Sequence, residues 1–153
     1  GATMLRRSMF KLLAASVTLA PLAARAADGE KKIHKLAIHI DQNDPEIMKL
    51  ALNNARNAHE LYQKRGEEIA IEIVTYGPGL HMLREDTSPM KDEIHTARKN
   101  IPRIAFAACN NTKTGMEKKE GKAVSLMSEA ILVDAGVVRL IELQEQGYAY
   151  VKP

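Results

Sequence analysis

The chain has 153 residues, 45% apolar and 27% charged, the make-up of an ordinary soluble globular protein with one domain's length of sequence. Its formal charge of +3, from 22 basic and 19 acidic side chains, would suggest an anionic partner. Four of those basic residues fall in an N-terminal segment that reads as removable, so the suggestion does not carry to the mature chain.

Residues 1–3 precede Met4 and read as a cloning remnant. Met4 to Ala26 has the parts of a secretory signal: Arg6, Arg7 and Lys11, an apolar run from Leu12 to Leu22, and Ala24-Arg25-Ala26 as an A-x-A cleavage site. The apolar run is shorter than a bilayer span. Cleavage after Ala26 removes Arg6, Arg7, Lys11, Arg25 and no acid, leaving 18 basic against 19 acidic residues and a charge of −1. A mature chain of 27–153 therefore offers no electrostatic footprint for nucleic acid and no membrane anchor. Arg6-Arg7-Ser8-Met9-Phe10-Lys11 also resembles a twin-arginine signal; a general secretory signal with two arginines is the equal alternative. Either predicts export to the periplasm.

In the mature chain, His34 to Ile40 reads as a first, buried strand. Asp44-Pro45 opens a helix as N-cap and first helical residue. Ile47, Leu50, Ala51, Ala58, Leu61 and Tyr62 form its expected apolar stripe, and Gly66 stops it. Asn54 falls in that stripe and Asn57 one turn on, where polar groups would need partners in the rim loops or a second subunit; the competing reading is a helix face that meets water at a cleft. Glu68 to Tyr76 is a second strand, ended by a turn at Gly77-Pro78-Gly79. A helix follows from about Pro89 to Lys99. Arg103 to Ala108 is a third strand running into Cys109, with a short helix from Asn110 toward Glu117. Gly121 is a break, and Ala123 to Ser128 is ambiguous between loop and helical turn. Ala130 to Val133 is a fourth strand, Val137 to Gln146 an amphipathic helix and Tyr148 to Val151 a last strand. The alternation predicts a parallel sheet with helices on both faces, in one domain.

In such sheets, sites form where strands deliver the chain into loops at their carboxyl ends. That rule collects three segments. The first holds His39 and Asp41, the second Gly77, Pro78, Gly79 and His81, the third Cys109, Asn110, Asn111 and Thr112. A single cysteine in an exported chain makes no internal disulfide, so it is inert, paired between chains or reactive. Reactivity would come from a helix N-terminus, where free N–H groups favour thiolate; a buried small hydrophobe is the competing reading. The Gly-Pro-Gly turn lets backbone approach a ligand, and His39 or His81 could move a proton beside a thiol. Five histidines with no i, i+4 pair and one cysteine predict no metal site within one chain.

The segments Ile73 to Gly79, Ile104 to Thr112 and Asp134 to Pro153, with Asn53 to Asn57, resemble the DsrE/DsrF-like (YchN-like) family in its exported subgroup. The likeness runs from about Lys35 to Pro153. It implies a three-layer α/β/α fold around a mostly parallel five-stranded sheet, assembled as trimers or hexamers. For sulfur-relay members it implies a cysteine that carries sulfur as a persulfide, and Cys109 stands where those members keep theirs. Those members are cytoplasmic, whereas this chain carries an export signal. The expected function is a periplasmic sulfur carrier with donor and acceptor proteins and no cofactor; any activity would be sulfurtransferase-type. The alternative is an oligomeric module binding a small ligand, or a metal shared between subunits, with Cys109 only lining the pocket. A third is an assembly protein with an inert thiol.

Overall fold

The computed structural model describes residues 31–153; the expected signal segment, 4–26, lies outside them. Five strands, β1 (Ile33–Ile40), β2 (Glu68–Thr75), β3 (Ile104–Cys109), β4 (Ala130–Val133) and β5 (Ala149–Val151), form one all-parallel sheet in the order β4-β3-β2-β1-β5. The helices are α1 (Pro45–Lys64), α2 (Lys91–Asn100), α3 (Asn110–Glu120) and α4 (Gly136–Glu145). A 3-10 helix spans Gly77–Leu83, where the sequence predicts only a turn.

Handedness explains the layering. The chain steps from β1 through β4 in one direction, so right-handed crossovers place α1, the 3-10 helix, α2 and α3 on one face of the sheet. It then returns past β1 to β5, and that reversal puts α4 on the other face. The larger core forms on the first side, where Met48, Ala51, Leu52, Leu80, Leu83 and Ile94 cover Ile38, Ile73 and Phe106. The smaller core joins Leu140 and Leu143 of α4 to Ala37, Val74 and Ala107. Phe106 is fully buried, and its truncation to alanine would cost about 3–5 kcal/mol.

α1 starts as its sequence predicts. The Asp44 carboxylate accepts from the Glu46 N–H at 2.9 Å, and Pro45 needs no donor partner at the first position. The buried face is Met48, Ala51, Leu52 and Ala55; Ile47, Ala58 and Tyr62 of the expected stripe pack half-buried beside it, while Leu50 and Leu61 are about half exposed. The apolar side of the helix is wide, and the sheet takes the part where Ala51 and Ala55 allow close approach. Asn54 is consequently only half-buried and Asn57 exposed. Ala123 to Ser128 forms no helix; Glu85 N–H donates to the Ser125 carbonyl and Met127 N–H to that of Leu83, at 2.9 Å each.

α3 has no fully buried residue, and its apolar hold on the larger core is the half-buried Met116. Arg84, 1% exposed, adds a polar one: it donates to Glu120 at 2.6 and 2.9 Å and to Asp86 at 2.9 and 2.8 Å. These two carboxylates hold the guanidinium strongly protonated, and it in turn draws both carboxyl groups below their ordinary range.

Candidate functional site

β3 and β4 are neighbours whose chains leave their carboxyl ends toward opposite faces, β3 into α3 and β4 into α4. This divergence is the topological switch point at which open α/β sheets form their crevices. Cys109 is the residue at that point. It ends β3, pairs in register with Val133 of β4, and is 4% exposed. It is also the N-cap of α3: with φ −68° and ψ 117°, its sulfur accepts from the Thr112 N–H at 3.4 Å, a role usually played by Ser, Thr, Asp or Asn.

A second helix start lies beside it. Three residues past Val133 the chain enters α4 at Gly136, and Asn111 N–H donates to the Asp134 carbonyl at 3.3 Å, which joins the two loops. Burial pushes the Cys109 thiol up. The Thr112 hydroxyl and the N–H groups of Gly136, Thr112 and Asn111 nearby favour the thiolate and outweigh it, so the thiol lies below its ordinary value; Thr112 N–H is the one that hydrogen-bonds the sulfur. Gly136 must be glycine for this approach, because a Cβ there would sit 2.7 Å from Tyr76 Cδ1 and 2.9 Å from its Cβ. Thr112 is oriented by the loop after β2: Gly77 N–H donates to Thr112 Oγ1 at 2.9 Å, leaving the hydroxyl hydrogen free for the sulfur.

His39 and Asp41 form an adjoining cluster rather than a direct contact with the thiol. Ala37, Val74 and Ala107 face α4 together, and side-chain alternation puts His39, Tyr76 and Cys109, each two residues further on, on that face too. The His39 ring packs against Tyr76 with centroids 4.5 Å apart, and its Nδ1 pairs with the Tyr150 hydroxyl at 2.8 Å. Its Nε2 is buried without a hydrogen-bond partner, 4.0 Å from Asp41 Oδ2. Lys152 holds that carboxylate at 2.6 Å. Burial, only partly opposed by Asp41, lowers the His39 pKa; the Lys152 hydrogen bond lowers that of Asp41. Tyr76 touches both His39 and Gly136 and is the wall between the two clusters; burial pushes its phenol up.

Of the residues singled out from the sequence, Cys109, Thr112 and Gly77 are therefore tied together by hydrogen bonds, and Asn111 is bonded to the loop after β4. Asn110 opens α3 and is half-buried. Gly79 packs beneath the β1 end, where an added Cβ would meet the Ile40 carbonyl oxygen at 2.2 Å, and Pro78 is exposed. His81 turns to Thr87 in its own loop, at 2.8 Å. Sequence reading missed Gly136, Tyr76, Tyr150 and Lys152. The Gly136 signal was present as a glycine at a helix start, but nothing in the sequence states that this start meets Cys109. Among the described residues no group of three or more His, Cys, Asp or Glu side chains could hold a metal ion, and no helix is long and apolar enough to cross a membrane.

Fold and site together define a parallel α/β protein with a lone cysteine at the sheet's switch point, set between two helix N-termini. Among solved structures the chain is similar to MTH1491 from Methanobacterium thermoautotrophicum, a protein of unknown function, with 27% identity and a TM-score of 0.66 over 78% of this chain and 99% of that one. No family model matches the chain, and no curated protein matches it.

Proposed function

We propose that this chain is a periplasmic sulfur carrier of the DsrE/DsrF-like type, in which Cys109 accepts a sulfane sulfur, holds it as a persulfide and yields it to an acceptor thiol. The observation that carries this reading is the place of Cys109 as N-cap of α3, its sulfur accepting from the Thr112 N–H at 3.4 Å beside the start of α4, which favours the nucleophilic thiolate. The thiolate attacks the outer sulfur of a donor R–S–SH. The donor S–S bond breaks, R–S⁻ leaves, and Cys109–S–SH forms with the hydrogen still on the transferred sulfur. An acceptor thiolate then attacks that outer sulfur and releases Cys109 thiolate. Each step exchanges one S–S bond for another, so no oxidant or cofactor is required. The quoted family-like segments and the signal-like residues 4–26 support the carrier class and the compartment.

The test is intact-mass analysis of protein purified from the periplasm without reductant, repeated after incubation with a persulfide donor. Added mass of one or more sulfur atoms, lost on reduction and absent from Cys109→Ser, is the expected result. A sulfur-free wild type under both conditions would reject the carrier.

The near-complete burial of the thiol favours a second reading, a binding module in which Cys109 only lines the site. Equal calorimetric binding of thiosulfate by wild type and Cys109→Ala would support it over the carrier.

A further inference from the structure

The start of α3 is local to Cys109, but the start of α4 comes from a distant part of the chain: Val133 pairs with Cys109, the Asp134 carbonyl accepts from Asn111 N–H at 3.3 Å, and the helix that follows must be held there. The sheet beneath α4 offers it a small apolar footing, with only Leu140 and Leu143 among its side chains in the core. What fixes its position is polar. Arg139, one turn into α4, forks onto Glu72 of β2, with Nε to Oε1 at 2.6 Å and Nη2 to Oε2 at 2.8 Å. Glu72 is 7% exposed, so its carboxylate has little water to fall back on. The planar guanidinium fork permits one orientation of α4 over β2, which a single-point contact would not. The same helix turn carries the Arg139 N–H to Ala135 carbonyl bond at 2.9 Å, so Arg139 and the chain entering Gly136 move as a unit.

We propose that Arg139, paired with Glu72, is a positioning residue for Cys109: it locks the start of α4 over the end of β3 and thereby sets the acidity and reactivity of a thiol it does not touch. Tyr76 is the mechanical stop, since it lies so close to Gly136 that an added Cβ there would meet its ring at 2.7 Å, leaving the start of α4 no room to move toward that ring. The assignment rests on the reading of Cys109 as an activated thiol.

The experiment is the pH profile of Cys109 alkylation by iodoacetamide in wild type and in the double variant Glu72→Gln/Arg139→Gln. Removing both charges leaves the net charge unchanged and no buried carboxylate uncompensated, so a shift reports position and not lost Coulomb attraction. The expected result is a folded double variant whose apparent thiol pKa rises by about half a unit, a roughly threefold loss of thiolate at neutral pH. Should the double variant not fold, Arg139→Lys keeps the charge without the fork and is expected to raise the pKa in the same direction. A folded variant with the wild-type profile overturns the positioning role while leaving the carrier reading intact. A wild-type profile at or above that of a free thiol removes both.

Discussion

Gly77 donates its backbone N–H to the Thr112 hydroxyl at 2.9 Å, and this one bond links the loop after β2 to the first turn of α3. It makes Thr112 a two-sided residue: its oxygen accepts from Gly77, and its hydrogen is left for Cys109. Thr112→Val should therefore act in two ways. It should raise the apparent pKa of Cys109, and it should cost about 1 kcal/mol through the unpaired Gly77 donor. Thr112→Ser, which keeps the hydroxyl, should restore both. Alkylation profiles and urea denaturation measure the two effects separately; an unchanged thiol in Thr112→Val would remove the hydroxyl from the site.

Gly79 bears on the other side of the same loop. An added Cβ would lie 2.2 Å from the Ile40 carbonyl oxygen and 2.9 Å from the Asp41 Cα, both backbone atoms with no rotamer to escape into. Gly79→Ala is expected to lose more than about 2 kcal/mol, as overpacking against backbone does. A variant within 0.5 kcal/mol of wild type, roughly the range of ordinary surface substitutions, would mean that the loop can move away from β1 at little cost.

The sequence made the element order, the parallel sheet and the position of Cys109 legible because each follows from local pattern: apolar runs, an Asp-Pro helix start, and a cysteine directly after a buried strand. The cap is local too, since sulfur and Thr112 N–H are three residues apart. The rest of the site is not local. Glu72 and Arg139 are 67 residues apart in the chain, and Arg84 and Glu120 are 36. Such pairs depend on strand order, which periodicity does not carry. The α1 stripe misleads at two positions for the same reason: Leu50 and Leu61 satisfy helical spacing as well as Met48, Leu52 and Ala55 do, and only the sheet's position selects the latter.

The proposed trimer or hexamer has a candidate surface in α4 and the β4 edge. Val137, Val138 and Ile141 form an outward stripe on α4, each at least 47% exposed, with Ile131 and Leu132 half exposed on β4. Closed symmetric assembly would cover such side chains. Light scattering at micromolar concentration is expected to give a trimer or hexamer for wild type, and a smaller species for Val138→Glu/Ile141→Glu. A wild-type monomer would refute the assembly. An undissociated double variant would move the interface elsewhere.

His39 should make the protein less stable in mild acid. Its ring is 5% exposed and faces Tyr76 on β2, Tyr150 and Lys152 at the β5 end, and Asp41 on its own segment. Burial sets its folded pKa below the ordinary 6.5, with Asp41 opposing and Lys152 reinforcing that shift. The unfolded chain therefore binds a proton at this histidine more readily than the folded one. Stability from the neutral ring is fully present above the unfolded pKa and is lost as pH falls from there through the folded pKa, after which this group adds no further slope. Asp41, whose pKa is also lowered, loses its contribution only further down, below the ordinary carboxylate range. Thermal melts at about pH 7.5 and about pH 5.5 should thus show a lower Tm at the acid end, and His39→Gln should flatten that difference. Equal pH dependence in wild type and His39→Gln would show that protonation at this ring is not coupled to folding. Amide exchange then locates the effect: faster exchange at Ala149 to Val151 on acidification, absent from His39→Gln, is expected if a charged ring competes with Lys152 for Asp41 and loosens β5 from β1.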